Sequence, residues 1–508
     1  MIMHTHHRDT ETQRMHREQK EEKFHKDCSC VSWIKFCFSL CILCVSVSLW
    51  FALPAYSQGK SVPMPTNPAR NDVVIKTRIA PPPELKTKEM PQGATFDLTL
   101  KIAPLPPVTA LAFSPDGKVL AAGVYRAVLL WDTGTGKPLP SLTGLAGAVQ
   151  SVAFRPDGSV LAVAGGSPGA SGEVRCYDTK TWQPIAKKFG GQSEVIYSVA
   201  WSADGNRIAA ASQDKTAKVW EWATAKELYT LKDHSDAVMR VVFAPDGKSL
   251  YTASQDKNVR RFNLDDGKLM RQFSGHNEGV GALALSPDGN RLISAGTEPQ
   301  LRWWNIGDGN TARNDHAHSG GINDIVFSKD GKWIASAGAD NAIRIWQTDN
   351  AQQQRGLEGA TDWEYAVAFS PDAKWTAGGG ADGLVRLWET ATGRLRLTLA
   401  AFPPAGTKSG IPEWASLTPE GIFDASAAWA AILRPQLASQ KITAPYIAAF
   451  VPTLKQPESV LKAWQMAALE PAKLPDAPKI PQPEKKTSQE KPVVPMKPSV
   501  PPKGTKPQ

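Results

Sequence analysis

Seven times between residues 108 and 380 the chain lays down a short run of alternating apolar positions, interrupts it with a polar turn and resumes with a second apolar run. The segments VTALAFSPDGKVLAAG, VQSVAFRPDGSVLAVA, IYSVAWSADGNRIAAA, MRVVFAPDGKSLYTAS, VGALALSPDGNRLISAG, INDIVFSKDGKWIASAG and YAVAFSPDAKWTAGGG are variants of one hairpin. Alternation over so few residues predicts half-buried strands. In the Pro-Asp-Gly type turn, proline presets φ, aspartate bonds the nearby backbone and glycine takes the left-handed position. The anchors Phe113, Phe154, Trp201, Phe243, Leu285, Phe327 and Phe369 are spaced by 41, 47, 42, 42, 42 and 42 residues.

Each hairpin is followed by a third apolar run that ends in a large aromatic residue: Trp131, Tyr177, Trp220, Phe262, Trp304, Trp346 and Trp388. A polar turn and a weaker fourth run, such as GKLMRQF or GRLRLTL, complete the unit. Four strands in a period of about 42 residues resemble the Trp-Asp repeat family. The resemblance implies an all-β fold: a seven-bladed β-propeller of four-stranded antiparallel blades over residues 94–403. One such sheet cannot bury both faces alone, so neighbouring blades must stack around an axis. Phe96 to Ala103, FDLTLKIA, is expected to pair into the seventh blade and latch the ring, competing for that place with Leu395 to Leu399.

The resemblance also implies a buried hydrogen-bond relay of His, Ser or Thr, Asp and Trp. His318, Ser336, Asp340 and Trp346 fill it. His276 lacks the Asp, and His234 with Asp256 meets Phe262 in place of Trp. All three His residues precede their aromatic anchor by 28 positions, which argues for a structural role rather than a metal site. In this family the entrances of the first strands line the rim of the central channel. Tyr197, Met239, Arg240, Asn323, Asp324, Trp363 and Tyr365 are the large or polar residues there, and aromatic and Arg side chains are typical interface anchors. They form the candidate partner site; the alternative is that they only close the channel.

A search for catalytic patterns yields little. GGSPG, from Gly165 to Gly169, matches a nucleophile pattern that requires a strand-to-helix elbow, yet it falls in the insertion that lengthens the second repeat. The Asp residues 116, 157, 204, 246, 288, 330 and 372 are turn formers. A ladder of Arg175, Lys218, Arg260, Arg302, Arg344 and Arg386 precedes the third-strand anchors and reads as packing along blade edges rather than an anion channel. The expectation is a noncatalytic, monomeric protein-binding scaffold without cofactor or metal. The alternatives are a propeller hydrolase or lyase with a site in the channel, or a structural envelope protein.

Charge changes the picture only at the ends. The net charge is +9, but Val108 to Pro403 carries 31 Lys plus Arg against 31 Asp plus Glu, so the repeats offer no basic surface for nucleic acid. Of six cysteines only Cys176 lies beyond residue 50, which leaves the fold without intrachain disulfides. Phe36 to Ala52 is an apolar run after Lys20, Lys23, Lys26 and Lys35, and Ala55-Tyr56-Ser57 follows it with small residues. Residues 1–57 therefore read as a signal peptide cleaved after Ser57, or as an uncleaved anchor over residues 36–52. Export from a bacterial cell to the periplasm or exterior is the corresponding expectation. Residues 58–93 read as a Pro-rich extended linker, 404–470 as a small, partly helical C-terminal module, and 471–508 as a disordered Lys/Pro-rich tail.

Overall fold

The computed structural model describes residues 104–403, 410–419, 423–432, 435–437, 455 and 457–465, together with the strands Val73–Ile79 and Phe96–Ile102. Almost all of it is antiparallel β structure in the form of a propeller. The leader, the tail and the segment Phe36 to Ala52 lie outside the described residues. Within the stretch expected to be an extended linker, Val73–Ile79 is a strand, in keeping with its β-branched sequence VVIKTRI.

The hairpin turns are held by the side chains the sequence repeats. At the first, Ser114 Oγ donates to Asp116 Oδ1 at 2.6 Å and accepts from the Val119 amide at 2.9 Å, while Gly117 adopts φ 74°. Ser202 with Asp204, Ser328 with Asp330 and Ser370 with Asp372 repeat the arrangement at 2.5–2.6 Å. All seven third-strand aromatics are buried at 4% exposure or less, which places them in the interior between sheets. The first-strand anchors are only partly covered in five of the seven units, and Trp201 and Phe243 are the buried ones.

Instead of seven separate four-stranded sheets, the repeat region forms six. Residues 196–231, 238–274, 280–316 and 322–357 each make a regular four-stranded sheet. The first two units share a five-stranded sheet, because pairing continues through Val119–Asp132 and Lys137–Phe154 past positive φ values at Arg126 (61°) and Gly144 (78°). The first half of Val119–Asp132 pairs with Ala110–Phe113 and its second half with Lys137–Phe154, whose own end pairs with Val160–Ser167. The second unit lacks a regular fourth strand, and only the bridges Val174 to Phe189 and Tyr177 to Pro184 stand in its place. Pro184 has no amide hydrogen to give a ladder.

The inner strands pack in a cycle. Ala110–Phe113 touches Lys137–Phe154, which touches Ile196–Trp201; Val238–Phe243, Val280–Leu285, Ile322–Phe327 and Glu364–Phe369 follow in turn, and the last returns to Ala110–Phe113. Turn contacts repeat the same order. A Cβ added to Gly158, Gly289 or Gly331 would rest 3.4–3.8 Å from Pro115, Pro245 or Pro287 of the preceding unit, and one on Gly117 would rest 3.5 Å from Pro371. The first turn thus sits on the last as those three turns sit on their predecessors. At the seam the Val108 amide donates to the Gly380 carbonyl at 3.0 Å, and Val108 fills the space left by Gly379.

The expected latch is corrected. Phe96–Ile102 pairs with Val73–Ile79 and Pro435–Leu437 in a separate three-stranded sheet. The fourth place in the last unit belongs to Leu395–Phe402, and Glu413–Leu417 and Phe423–Ala425 extend that sheet to six strands. Leu395–Phe402 is paired on its outer edge by Glu413–Leu417, so that strand leaves no edge vacant for Phe96–Ile102. Two helices, Ala427–Ile432 and Pro457–Gln465, complete the described C-terminal part. No helix among the described residues is long and apolar enough to cross a membrane.

Candidate functional site

The polar groups that the repeats bury are organised first by the relay. His318 precedes the strand Ile322–Phe327, Ser336 lies on Trp333–Gly338, Asp340 in the turn after it and Trp346 on Ile343–Gln347. Trp346 Nε1 donates to Ser336 Oγ at 2.9 Å, Ser336 Oγ lies 2.7 Å from His318 Nε2, and His318 Nδ1 lies 2.7 Å from Asp340 Oδ1. A neutral imidazole with its proton on Nδ1 satisfies every member: indole to hydroxyl, hydroxyl to imidazole, imidazole to carboxylate. Burial holds His318 below the usual imidazole range despite the Asp340 carboxylate beside it. Asp340 is itself partly desolvated, but the hydrogen bonds of His318 and the Ser319 amide, with Arg344 nearby, bring its carboxyl down to about 2.

Two further repeats carry this device, one of them in a form the sequence reading missed. His276 bonds Ser294 at 2.7 Å and Glu298 at 2.9 Å, and Trp304 Nε1 donates to Ser294 at 2.7 Å. Glu298 therefore supplies the carboxylate thought absent. Its 22-residue offset from the His, shared with Asp256 and Asp340, was the available signal. His234 bonds Thr252 at 2.6 Å and Asp256 at 2.9 Å, and the relay stops there because Phe262 has no donor.

The cationic ladder completes these units rather than lining a channel. Arg260, Arg302 and Arg344 reach Asp256, Glu298 and Asp340 at 2.5, 3.8 and 2.8 Å, each four residues on from its carboxylate. Lys218 pairs with Glu227 and Arg175 with Glu173. Elsewhere the catalytic reading finds no support: Ser167 lies in a strand-to-strand hairpin with its hydroxyl on the Ala146 carbonyl, and burial pushes the Cys176 thiol up to about 12. Among the described residues no group of three or more His, Cys, Asp or Glu side chains is placed to hold a metal.

The last repeat departs from the scheme. Ala360 and Gly378 stand where His318 and Ser336 stand one unit earlier, and Trp388 Nε1 donates instead to the Glu358 carbonyl at 2.8 Å. The side chain of Glu364 comes close to this space, with Oε2 3.2 Å from where a Cβ on Gly378 would be. Glu364 is fully buried, where the preceding units carry Ile196, Val238, Val280 and Ile322. Arg386 lies 3.5 Å from Oε1 and 2.5 Å from Asp382, while Oε2 has no partner among the described residues. Burial pushes the Glu364 carboxyl up to about 8, outweighing Arg386. A buried carboxyl in a column of aliphatics was the sequence signal.

Of the seven rim candidates, the structure joins three directly. Arg240 donates to the Gly281 carbonyl at 3.3 Å, the Asn323 carbonyl at 3.4 Å and Asp324 Oδ1 at 2.8 Å, crossing from the fourth repeat over the fifth to the sixth. Asp324 is also bound by the amides of Val367 and Ile325 at 3.1 Å, and burial raises its carboxyl against the pull of Arg240. Asn323 Nδ2 donates to the Glu364 carbonyl at 2.8 Å, which connects this group to the strand bearing Tyr365. Tyr197 donates to Gln213 at 2.7 Å. Tyr197, Met239, Trp363 and Tyr365 are half-buried.

A sequence profile described as WD domain, G-beta repeat matches residues 100–132, 136–178, 182–221, 225–263, 267–305, 309–347 and 351–389, more than half of the chain. The chain belongs to the WD40 family. Similar WD40 relatives are eukaryotic: WD repeat-containing protein VIP3 of Arabidopsis thaliana is 33% identical over 141 residues, 25% of this chain and 43% of that protein. WD repeat-containing protein 1 of Xenopus tropicalis is 42% identical over 84 residues, 16% and 13% of the two chains. A chromatin assembly factor 1 subunit of Gallus gallus is 30% identical over 161 residues, 26% and 28%. The chain thus spans less than half the length of each of these relatives.

Trp346→Ala in this WD40 chain is expected to lose about 3–5 kcal/mol of stability, since it opens a cavity and strands Ser336. Urea unfolding checks this, and a wild-type midpoint would contradict the placement. Glu364 gives a pH signature. Its folded carboxyl keeps a proton up to about 8 whereas the unfolded chain ionises near 4.5, so its stabilising contribution is complete at pH 4 and is lost as pH rises towards 8. Melting temperatures of wild type and Glu364→Gln should therefore shift in favour of the variant between pH 5 and pH 8. A difference independent of pH would refute the neutral buried carboxyl.

Proposed function

We propose that this chain is a noncatalytic, seven-bladed WD40 scaffold that binds another protein at the rim of its channel. The blade count rests on the seven matched repeats and on the cycle of seven inner strands. The partner site rests on one observation above all: the charged groups near the first-strand entrances are taken up by one another, Arg240 with Asp324 and Arg386 with Asp382, beside the neutral carboxyl of Glu364. What remains for an incoming surface is the half-buried set Tyr197, Met239, Trp363 and Tyr365, aromatic and thioether side chains of the kind that anchor protein interfaces. One relative is named as part of a chromatin assembly factor, which agrees with an assembling role. The hydroxyl–His–carboxylate sets are buried, and Ser294 and Ser336 already accept from Trp indoles, which favours a structural use of these groups over turnover.

With the full chain as bait, Met239→Ala/Trp363→Ala should lower the recovery of its bound protein by at least about tenfold, as expected for two interface anchors. Recovery of the same proteins in the same amounts would remove the rim assignment. We further propose that the chain is exported by a bacterial cell, on the strength of Phe36 to Ala52 and the small residues before Gln58. Alkaline phosphatase fused after residue 60 should then be active in intact bacteria; an inactive, cytoplasmic fusion would end that reading.

A further inference from the structure

We propose that the groove across the seam of the ring is a docking site for an amphipathic helix, occupied in cis by Pro457–Gln465 acting as an exchangeable clasp. One hydrophobic cluster contains residues from both sides of the seam and from the helix: Val108, Leu129 and Trp131 of the first unit, Trp375, Leu387 and Leu397 of the last, and Val460 and Trp464. Val460 and Trp464 are four residues apart and share a face, and both are buried. Pro457, Glu458, Lys462 and Gln465 are exposed. The helix lies on Leu395–Phe402 and Phe423–Ala425, and Lys455 just before it bridges to Phe423.

On the far side of the seam the indole of Trp464 covers Gly136. A Cβ there would lie 2.5 Å from Trp464 Cδ1, and the φ of 69° suits glycine. The helix therefore spans a junction that no shared strand closes, since the first and last units are each completed from their own chain segments.

Two features make this a clasp rather than a permanent core element. A helix of nine residues has too few turns to be stable alone in water, so its order depends on docking. The fit is also incomplete. A cavity of about 210 Å³ remains beside Trp464, lined by Phe113, Thr133, Ser370 and Trp375 among others, and Trp464 Nε1 is buried without an acceptor among the described residues. A site that holds its helix with spare volume and an unmet donor can give it up to an equivalent helix presenting an aliphatic residue and a Trp at i and i+4.

The test uses the full chain carrying Trp464→Ala, the milder Val460→Ala, or the exposed control Lys462→Ala, and a fluorescein-labelled synthetic peptide of residues 455–467. Both groove variants should unfold at lower urea than wild type and the control. They should also bind the peptide at least about tenfold more tightly than wild type, whose groove is filled, and the added peptide should restore their midpoints. A peptide with the Trp replaced by Ala should do neither. Equal peptide binding by all chains, or wild-type midpoints in both groove variants, would overturn the docking site. Folded variants that neither bind the peptide nor regain stability, or failure of both to fold by circular dichroism, would make the helix fixed core and overturn the exchange.

Discussion

Every sheet of the repeats presents two apolar faces, and neither can be covered except by another sheet. The interior is therefore distributed: each buried third-strand aromatic packs in a cluster composed of residues from adjoining units, such as Trp220 with Val160 and Cys176, or Trp346 with Ala282 and Ile293. No unit is a domain in its own right. Stability accrues at interfaces between neighbours, and a linear chain of such units always leaves two faces over. Closing the ring disposes of both at once, so the meeting of Ala110–Phe113 with Glu364–Phe369 matters to every other interface.

Within that apolar frame many of the buried imidazole and charged groups are gathered into a few sets. The His, Ser and carboxylate relays link the approach to the first strand with the second strand, the following turn and the third strand, and Arg from the third strand neutralises the carboxylate. Within each set the His, hydroxyl and carboxylate satisfy one another, which lowers the cost that unpaired polar groups would impose in a core, although Nε of Arg260 and of Arg302 stays without an acceptor among the described residues. Glu364 is a further unsatisfied group, in a unit where His and Ser are both missing. Its site borders both the seam and the strand carrying Tyr365, so a poorly satisfied carboxyl lies next to the proposed partner surface.

The repeat was legible because its signals are local. The Pro-Asp-Gly type turns, the alternation before them and the third-strand aromatic depend on neighbours in sequence, and from the third repeat on the aromatic follows its first-strand anchor by a constant 19 residues. Places where the reading fell short depend on which segment reaches an edge first. FDLTLKIA has the composition of a fourth strand, but composition does not reveal that Leu395–Phe402 is paired on both sides. Pairing that resumes past the left-handed Arg126 merges strands that a repeat count separates. In the candidate site, the rim residues could be named from their phase, whereas the pairing of Arg240 with Asp324, 84 positions apart, could not. Glu298 escaped notice because the family pattern has Asp at that place, although the offset alone identifies it.

The reach of Arg240 over Gly281 breaks the equivalence of the repeats. Its guanidinium takes a backbone carbonyl from the unit immediately after it and needs an acid at the corresponding place in the unit after that. The fourth, fifth and sixth repeats are thus keyed in order, like wards in a lock. Duplicating or deleting the fifth would preserve every hairpin and every aromatic anchor while leaving a cation at the channel wall without its acid. For this propeller, repeats are not exchangeable parts, and its lineage could not have altered their number here without first dissolving that bond.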